Sequence, residues 1–508
     1  MELPRHAGRP VKIRLLRYDM NRDFIVFIFF MFCCVGLNAQ NNYSIEDVIQ
    51  RSQSQSPFFK QAETRKENRY WQYRYFKTNY NPQVRLISNN AGALYNNSFS
   101  PVRQPDGSIE YLQVNQFNPG VNFALQQPIQ WTGGMVSVNT TYNYFNNITT
   151  KESQWNGSIF NIQLNQPVLS YNRYKWDKRI EPIRYEESKR DYAESMEEIA
   201  RDAVNYFFGV LEAQVNQQIA QYNLANNDTI YKIEQGRYNI GTTSQDKLLQ
   251  VELQLLRSRQ DVAQAKLDLQ NASLLLRSYI GLRNGEGFEL MLPDEIPILT
   301  VSEDEALKHA QETRSAFIAF QRRKIEADAE VAEAKGTRYE VGLSGGFGLN
   351  NVGSSVSDLY QNPDRQQFAN LTFNIPLIDW GRRRALMKST YANKRLNDYL
   401  IAQDEVLFEQ EILTQVRQFE MLQLQIEITK KSDEVAFERY KVAQNRYLIG
   451  KIDITNLNIA LTEKDNAKRS YLQALKSFWI AYYNLRRLTL FDFAESKYLY
   501  NPLDKTDR

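Results

Sequence analysis

The chain has 508 residues, 42% hydrophobic and 24% charged, with a formal net charge of +3 and a mean hydropathy of −0.55. That average excludes a bundle of membrane-crossing helices. Two cysteines and two histidines exclude a disulfide scaffold and a Cys/His zinc module.

The first landmark is Phe24–Leu37, the only strongly apolar run, preceded by Arg22 and followed by Asn38-Ala39-Gln40. As a helix it spans about 21 Å, too short for a bilayer core but right for the apolar segment of a secretion signal. Residues 1–39 are therefore expected to be a signal peptide cleaved after Ala39, with Met20 the true start and 1–19 an extension. Cys33 and Cys34 leave with it, and the bulky Met31 and Phe32 before them argue against lipidation. Six of the 62 basic and three of the 59 acidic residues precede Gln40, leaving 56 of each. The exported chain is neutral and has no basic block, so a nucleic-acid partner is not expected. Its remaining histidine, His309, lies on a polar helical stretch and reads as a surface residue.

Residues 45–79 read as a helix opened by Ser44 and first-turn acids. From 83 to 168 the apolar period becomes two, with Val84/Leu86, Val121/Phe123/Leu125, Val136/Val138 and Phe160/Ile162/Leu164 alternating with polar neighbours between Asn/Gly/Ser turns. Helices follow at about 174–240 and 246–281, a Gly/Pro-bearing connector at 282–302, and a helix at 303–337. The period of two returns over Tyr339–Leu349 and Leu371–Ile375. Helices at about 380–448 and 454–487 precede a polar tail, 491–508.

The chain repeats itself. Gln235-Gly-Arg-Tyr-Asn-Ile-Gly241 recurs as Gln444-Asn-Arg-Tyr-Leu-Ile-Gly450. The same offset of 209 relates Pro167-Val-Leu to Pro376-Leu-Ile and Leu276-Arg277 to Leu485-Arg486. One offset held this far means two copies of one unit. Each terminal Gly lies between two helical patterns, the place of a left-handed cap. Each long helix should reach about 100 Å. In residue number, 246–281 with 303–337 matches one long helix, and 454–487 with 45–79 matches the other, so short helices are expected to stack end to end in those pairs.

The first long helix has two apolar seams. Tyr192, Met196, Ile199, Ala203, Tyr206, Val210 and Ala213 form one; Val204, Phe208, Leu211 and Val215 form the other. A helix with two such edges has a neighbour on each side, like a stave. A globular bundle is the alternative, but about 100 Å overruns a globular core.

The strands carry one apolar face and one of Asn, Gln, Ser, Thr and Gly, the pattern of an outer-membrane β-barrel. An ordinary half-buried sheet is the alternative. Trp71, Trp131, Trp176 and Trp380 lie near strand–helix boundaries, as an interfacial aromatic belt requires. The second half supplies two strands; the first supplies two, or four if its extra hairpin (about 49 more residues) joins the sheet. Four strands cannot close a barrel, so several copies must share one. With one histidine, no phosphate-cradling glycine motif and no Cys/His cluster, the chain does not read as an enzyme, and nothing requires a cofactor or metal. A structural periplasmic coiled coil or adhesin is the remaining alternative.

The Arg-Tyr-x-Ile-Gly turns at 237–241 and 446–450, Pro376-Leu-Ile-Asp-Trp-Gly-Arg-Arg383 and Pro167-Val-Leu together resemble the TolC-like outer-membrane efflux proteins, over nearly all of 43–490. The resemblance implies an α+β membrane protein with two repeats, 43–281 and 303–490, joined by an equatorial connector. It implies a homotrimer: a twelve-stranded barrel among outer-membrane lipid, continued by a periplasmic helical tunnel. Such proteins are passive ducts for efflux or type I secretion, joined by a periplasmic adaptor to an inner-membrane transporter. By the same likeness, Ile240-Gly241-Thr242 and Ile449-Gly450-Lys451 are adaptor-docking turns, and Arg237, Tyr238, Arg446 and Tyr447 sit at the periplasmic aperture. Relatives place acids six and nine positions after the second glycine. Here those positions hold Asn456 and Ile459, and Lys247 is six after the first; Asp246 and Asp453 are the nearest acids. A weak or mixed charge ring at the aperture is therefore expected.

Overall fold

Long apolar-striped segments with few internal breakers form eight helices among the described residues, and their lengths repeat. In the computed structural model, residues 41–88, 94–282, 288–293, 296–297 and 299–501 are described; the expected signal peptide, with Cys33 and Cys34, lies outside them. The first half holds α1 (Ile45–Gln55), α2 (Pro57–Thr78), α3 (Arg173–Asn239) and α4 (Gln245–Ile280). The second holds α5 (Glu303–Thr313), α6 (Ser315–Gly336), α7 (Arg382–Leu448) and α8 (Ile454–Thr489). Both ends of α3 and α4 lie 209 residues before those of α7 and α8. Both ends of α1 and α2 lie 258 before those of α5 and α6. The difference of 49 falls wholly between Thr78 and Arg173, in the strand region. Helix length is the conserved quantity of the repeat.

Two expected helices are each divided. The 45–79 segment breaks at Ser56, where Pro57 forces the preceding residue out of the helical region (ψ 154°) and occupies the first position of α2. The 303–337 segment breaks at Arg314 (ψ 142°), with no proline to mark it. Ser44 begins α1 with a reciprocal capping box to Asp47.

The short helices stack, but not in the expected pairs. Phe58, early in α2, stacks on Tyr279 at the end of α4 (5.0 Å), so α2 continues α4. Thr313 at the end of α5 donates to the carbonyl of Thr489 at the end of α8 (2.6 Å), so α6 continues α8. The connector carries the chain sideways across the waist, where β8 (Phe288–Leu290) pairs in parallel with β1 (Asn41–Tyr43). Stacking therefore joins helices one column apart in the chain. On the strand side of the waist the neighbours run α2–α3–α6–α7, and on the other side α4–α3–α8–α7. Both seams of α3 are used: Ile199, Ala203 and Val210 on one and Val204, Phe208 and Leu211 on the other are buried.

The main core lies where the columns meet. Phe207, Phe208, Leu276, Ile280, Ile412, Phe419, Phe478 and Leu485 are all nearly inaccessible there. The expected polar tail closes over it in part. β11 (Phe491–Asp492) and β12 (Lys497–Tyr498) form a short hairpin. Asp492 is buried and accepts from Tyr482 Oη (2.9 Å) and Arg486 Nη1 (2.8 Å), while Arg486 Nε donates to Glu197 (2.8 Å). His309 is a correction: it is buried, not surface, because Phe491 stacks flat on its ring (4.0 Å) and Tyr498 bonds its Nδ1 (3.0 Å).

The strands form one antiparallel ladder, β2 (Gln83–Ser88), β5 (Gly120–Ile129), β6 (Gly134–Asn147), β7 (Glu152–Val168), β9 (Glu340–Gly353) and β10 (Asp364–Asn374). The extra first-half segment thus joins the sheet. Its outer part, β3 (Tyr95–Arg103) and β4 (Ile109–Phe117), is a hairpin that pairs with β6 at Asn146 and Asn147. Register aligns the faces. Val84, Leu125, Val138, Ile162 and Phe347 form one cross-strand row, and Arg85, Ala124, Asn139, Asn161, Gly348 and Gln366 form a row on the other face. One face is apolar and the other largely polar or small from β2 to β9, while on β10 the apolar row meets Gln367 and the apolar face is confined to Ala369, Leu371 and Phe373.

Phe478 is fully buried and stacks on Phe419 (5.1 Å). Phe478→Ala is expected to cost about 3–5 kcal/mol and lower the thermal midpoint of the detergent-solubilised protein. A midpoint shift within a degree would place the core elsewhere.

Candidate functional site

The far end of the helical body is built twice by the same local chemistry. Each long helix is followed by a capping isoleucine, Ile240 or Ile449, and then by Gly241 or Gly450 with φ of 73°, a conformation that costs a side-chain-bearing residue about 1–2 kcal/mol. The amides of Thr242 and Lys451 reach back to the carbonyls of Arg237 (2.9 Å) and Arg446 (2.8 Å), and those of Gly241 and Gly450 to Tyr238 and Tyr447 (2.9 Å each). That is the double reverse bond of a Schellman cap. Ser244 then caps α4 by accepting from the amide of Lys247, and Asp453 caps α8 by accepting from that of Asn456 (2.9 Å). Ile240, Gly241, Thr242, Ile449, Gly450 and Lys451 are all exposed. The two isoleucines stand out, at 74% and 66% accessible, because apolar side chains at a tip have no partner within the chain.

The structure divides the expected aperture residues into two sets. Arg237 and Tyr447 come together across the two hairpins, on a residue that the repeat did not flag, Glu234. The Tyr447 hydroxyl donates to Glu234 Oε1 (2.7 Å), and Arg237 Nη1 donates to the same oxygen (2.6 Å). Arg237 Nη2 also reaches the carbonyl of Leu448 (3.1 Å), and its guanidinium lies 5.5 Å from the Tyr447 ring centre. Glu234 and Tyr447 are both buried. Their repeat counterparts do not form a second tie: Ala443 replaces Glu234, and Tyr238 and Arg446 are exposed. The one available sign was the Glu234–Arg237 spacing of three on a helix face. A cleft of ≈ 380 Å³ beside the tie is lined by Glu234, Arg237, Lys247, Tyr447 and Asp453 among others.

Electrostatics fit the tie. Burial pushes the Glu234 carboxyl up, but hydrogen bonds from Tyr447, Arg237 and Thr243 outweigh it and hold it below the ordinary carboxylate range. Burial, then the bond to Glu234, raises the Tyr447 hydroxyl. Asp246 and Lys247 lie exposed in the first turn of α4. The Asp453 carboxylate is occupied twice by Asn456, through its amide and its Nδ2 (2.8 Å). Among the expected aperture acids, Asp453 is first a helix cap.

At the strand end, Trp131 lies in the β5–β6 turn, Trp176 in the first turn of α3 and Trp380 just before α7. Trp131 and Trp380 are 84% and 95% accessible. These three lie at the boundary, as expected. Trp71 does not: it is seven residues inside α2 and bonds Glu67 (3.2 Å), because α2 runs on to Thr78 before the strand pattern begins. Among the described residues no group of three or more His, Cys, Asp or Glu is placed to hold a metal, and no helix is long and apolar enough to cross a membrane.

The model of the outer membrane efflux protein family matches residues 48–282 and 305–489, one span for each repeat. The chain belongs to that family. Solved structures of outer membrane proteins share its fold. The Campylobacter jejuni CmeC outer membrane channel is 14% identical, with 98% of this chain and 99% of that one covered and a TM-score of 0.63. The Vibrio cholerae outer membrane protein VceC is 14% identical over 88% and 95%, TM-score 0.62. The open-state Neisseria gonorrhoeae MtrE outer membrane channel is 13% identical over 88% of each, TM-score 0.57. Among curated proteins, none matches this chain. Within this family the present chain is a two-repeat α+β body whose helix lengths agree residue for residue between repeats.

Glu234 also sets a pH dependence. A carboxyl held low in the folded state stabilises the tip above its unfolded value of about 4.3, and loses that contribution as pH falls through the lower folded value. Hydrogen exchange at the ends of α3 and α7, corrected for intrinsic rate, should accelerate below about pH 4 and should be fast at all pH in Glu234→Gln. Tyr447→Phe should cost about 1–2 kcal/mol locally and Tyr238→Phe nothing. Equal effects from the two tyrosines would remove the asymmetry.

Proposed function

We infer that this chain is the outer-membrane exit duct of a tripartite efflux assembly. Three copies form a lipid-embedded barrel that opens outward, continued by a helical tunnel across the periplasm. A periplasmic adaptor grips the hairpin tips, and an inner-membrane transporter supplies the energy. The duct itself is passive and takes no part in chemistry.

The observation that carries this reading is the pairing of opposite ends. About 100 Å of helix separates a sheet with one apolar face from two exposed apolar turns tied by a single buried carboxylate. Ile240 and Ile449 offer an adaptor two apolar anchors on rigid caps, the kind of exposed apolar group that marks a contact surface. The Arg237–Glu234–Tyr447 tie holds the two hairpins of one chain together at the aperture. An adaptor that binds the untied tip better than the tied one shifts the population toward the open state, by no more than that difference in affinity. Trp131, Trp176 and Trp380 then mark the periplasmic face of the lipid, with Trp71 below it.

Ile240→Asp with Ile449→Asp should abolish co-purification with the adaptor and restore sensitivity to exported compounds. The protein should still fractionate as a heat-modifiable oligomer in outer membranes. Retained adaptor binding would reject the docking turns, and a deletion strain that lost a secreted protein while keeping compound resistance would favour type I secretion. In planar bilayers the potassium-to-chloride current ratio should be modest. Asp453→Asn, which keeps the cap, should change it by less than about twofold, because no acidic ring is completed at Asn456 or Ile459. A strongly cation-selective pore that loses selectivity in Asp453→Asn would reverse that reading.

A further inference from the structure

We propose that the ledge where the β5–β6 turn meets α3 binds an anionic phospholipid of the periplasmic leaflet, with Lys175, Lys178 and Arg179 gripping its phosphate. This rests on the membrane placement inferred above and goes beyond it, to a lipid site and the chemistry of its headgroup.

The site is a cavity of ≈ 1030 Å³ with two unlike walls. Pro128, Ile129 and Trp131 form one, at the end of β5 and in the turn after it. Lys175, Lys178 and Arg179 form the other, in the first two turns of α3. The apolar wall continues the apolar face of the ladder. Phe123, Leu125 and Ile129 fall on one side of β5, and Phe123 and Leu125 are exposed. An acyl chain lying on that face descends to Ile129 and Trp131 and brings its headgroup to the cations. Lys178 Nζ lies 3.5 Å from Gln130 Oε1, so the two walls approach closely.

The basic wall is not neutralised from within. All three cations are exposed, and among the described residues none has a carboxylate at ion-pair distance. The one acid in the first two turns, Asp177, is taken by Arg173 (3.2 Å). The guanidinium of Arg179 lies over the Trp176 ring (4.9 Å), which holds it beside the boundary aromatics. Neighbouring helices use other faces of α3. It meets α2 through Tyr185, stacked on Tyr73 (4.6 Å), and α6 through Arg184 and Glu187. Lys175 and Arg179 lie in line with Glu186, which accepts from Tyr500 of the C-terminal tail (2.6 Å).

These charges run against local helix preference. A helix N-terminus carries partial positive charge and favours acids, yet neither long helix has an acid in its first turn. Both place cations there instead, at matched positions. The offset of 209 sets Arg173 on Arg382, Lys175 on Arg384 and Arg179 on Lys388. Arg384 and Lys388 are exposed as well, and Arg384 follows the exposed Trp380 by four residues. At the tip the repeats diverge in charge; at this boundary they agree. A phosphate answers both the helix end and the cations. Free phosphate would satisfy the charges and leave the apolar wall uncovered, whereas a lipid covers both.

The test is lipid retention by the detergent-solubilised full-length oligomer, read by native mass spectrometry. Dioleoyl phosphatidylglycerol should bind at least about tenfold more tightly than dioleoyl phosphatidylcholine. Lys175→Gln combined with Lys178→Gln and Arg179→Gln should remove that preference. Lys266→Gln with Lys430→Gln, at exposed positions elsewhere on the helices, should keep it. Equal binding of the two lipids by the unaltered protein, or a preference that survives the triple substitution, would overturn the proposal. Millimolar inorganic phosphate should leave the lipid in place; displacement would reduce the ledge to a general anion site and refute the lipid assignment. The triple variant should still fractionate as a heat-modifiable oligomer in outer membranes. An unaltered chain that stays water-soluble would instead remove the duct reading on which the proposal stands.

Discussion

A helix of 67 residues must find lateral partners along about 100 Å, and that constraint organises the molecule. No second helix of equal length is supplied next to α3 on both sides, so two shorter ones share each flank. Wherever two short helices abut, their free carbonyls and amides meet and must be covered. The waist does this. Gly281 turns with φ of 72° beside the carbonyl of Gln55, Thr313 bonds Thr489, and Phe207, Phe208, Phe419 and Phe478 belong to the same core as Ile280 and Leu485. A shortened α4 or α8 would open a gap at the joint, which is the physical reason the helix lengths agree between repeats while the strand region differs by 49 residues.

Equal lengths do not mean equal roles. The tips share glycine geometry to the degree, yet only one repeat carries a carboxylate at the crossing point. With Glu234 in the first copy and Ala443 in the second, one tyrosine is drawn inward and its counterpart, Tyr238, is left exposed. The same split appears in the caps, where Ser244 is neutral and Asp453 charged. Backbone needs preserved the repeat, and side chains within it were free to diverge.

Much of this was legible in the sequence. Glycines with a shared offset located both turns to the residue, and the two seams of α3 announced two neighbours. The period of two identified every strand of the main ladder. What the sequence could not show was the pairing of parts far apart in the chain. Chain order suggested that α4 stacks with the following helices, whereas a crossing connector places α2 on α4. Pro57 was a visible sign that the first helix divides; Arg314 offered none, because its break comes from the joint it covers. His309 looked like a surface residue since its cover, Phe491 and Tyr498, arrives from the far end of the chain. Trp71 has strand-like aromatic neighbours, but α2 carries it below the boundary.

The distribution of contacts along the long axis shows where such a body can yield. The waist core is large and apolar; the core at the tip is small, built on Ile230, Val251, Tyr440, Tyr447 and Leu457. Between them the hairpins are joined by polar contacts. Asn223 bonds Asp465 (2.7 Å), Asn226 bonds Tyr440 (3.3 Å), and Lys464 lies over the rings of Tyr222 and Tyr440. Exchanging such bonds for bonds to water costs about 1 kcal/mol each, whereas opening the waist would expose whole aromatic side chains at about 25 cal/mol per Å². Local opening therefore begins at Glu234 and runs toward Asp465, and it stops at Phe478 and Phe419. A helical body that is firm at the waist and yielding at one end can rearrange its tip while its strand ladder stays paired.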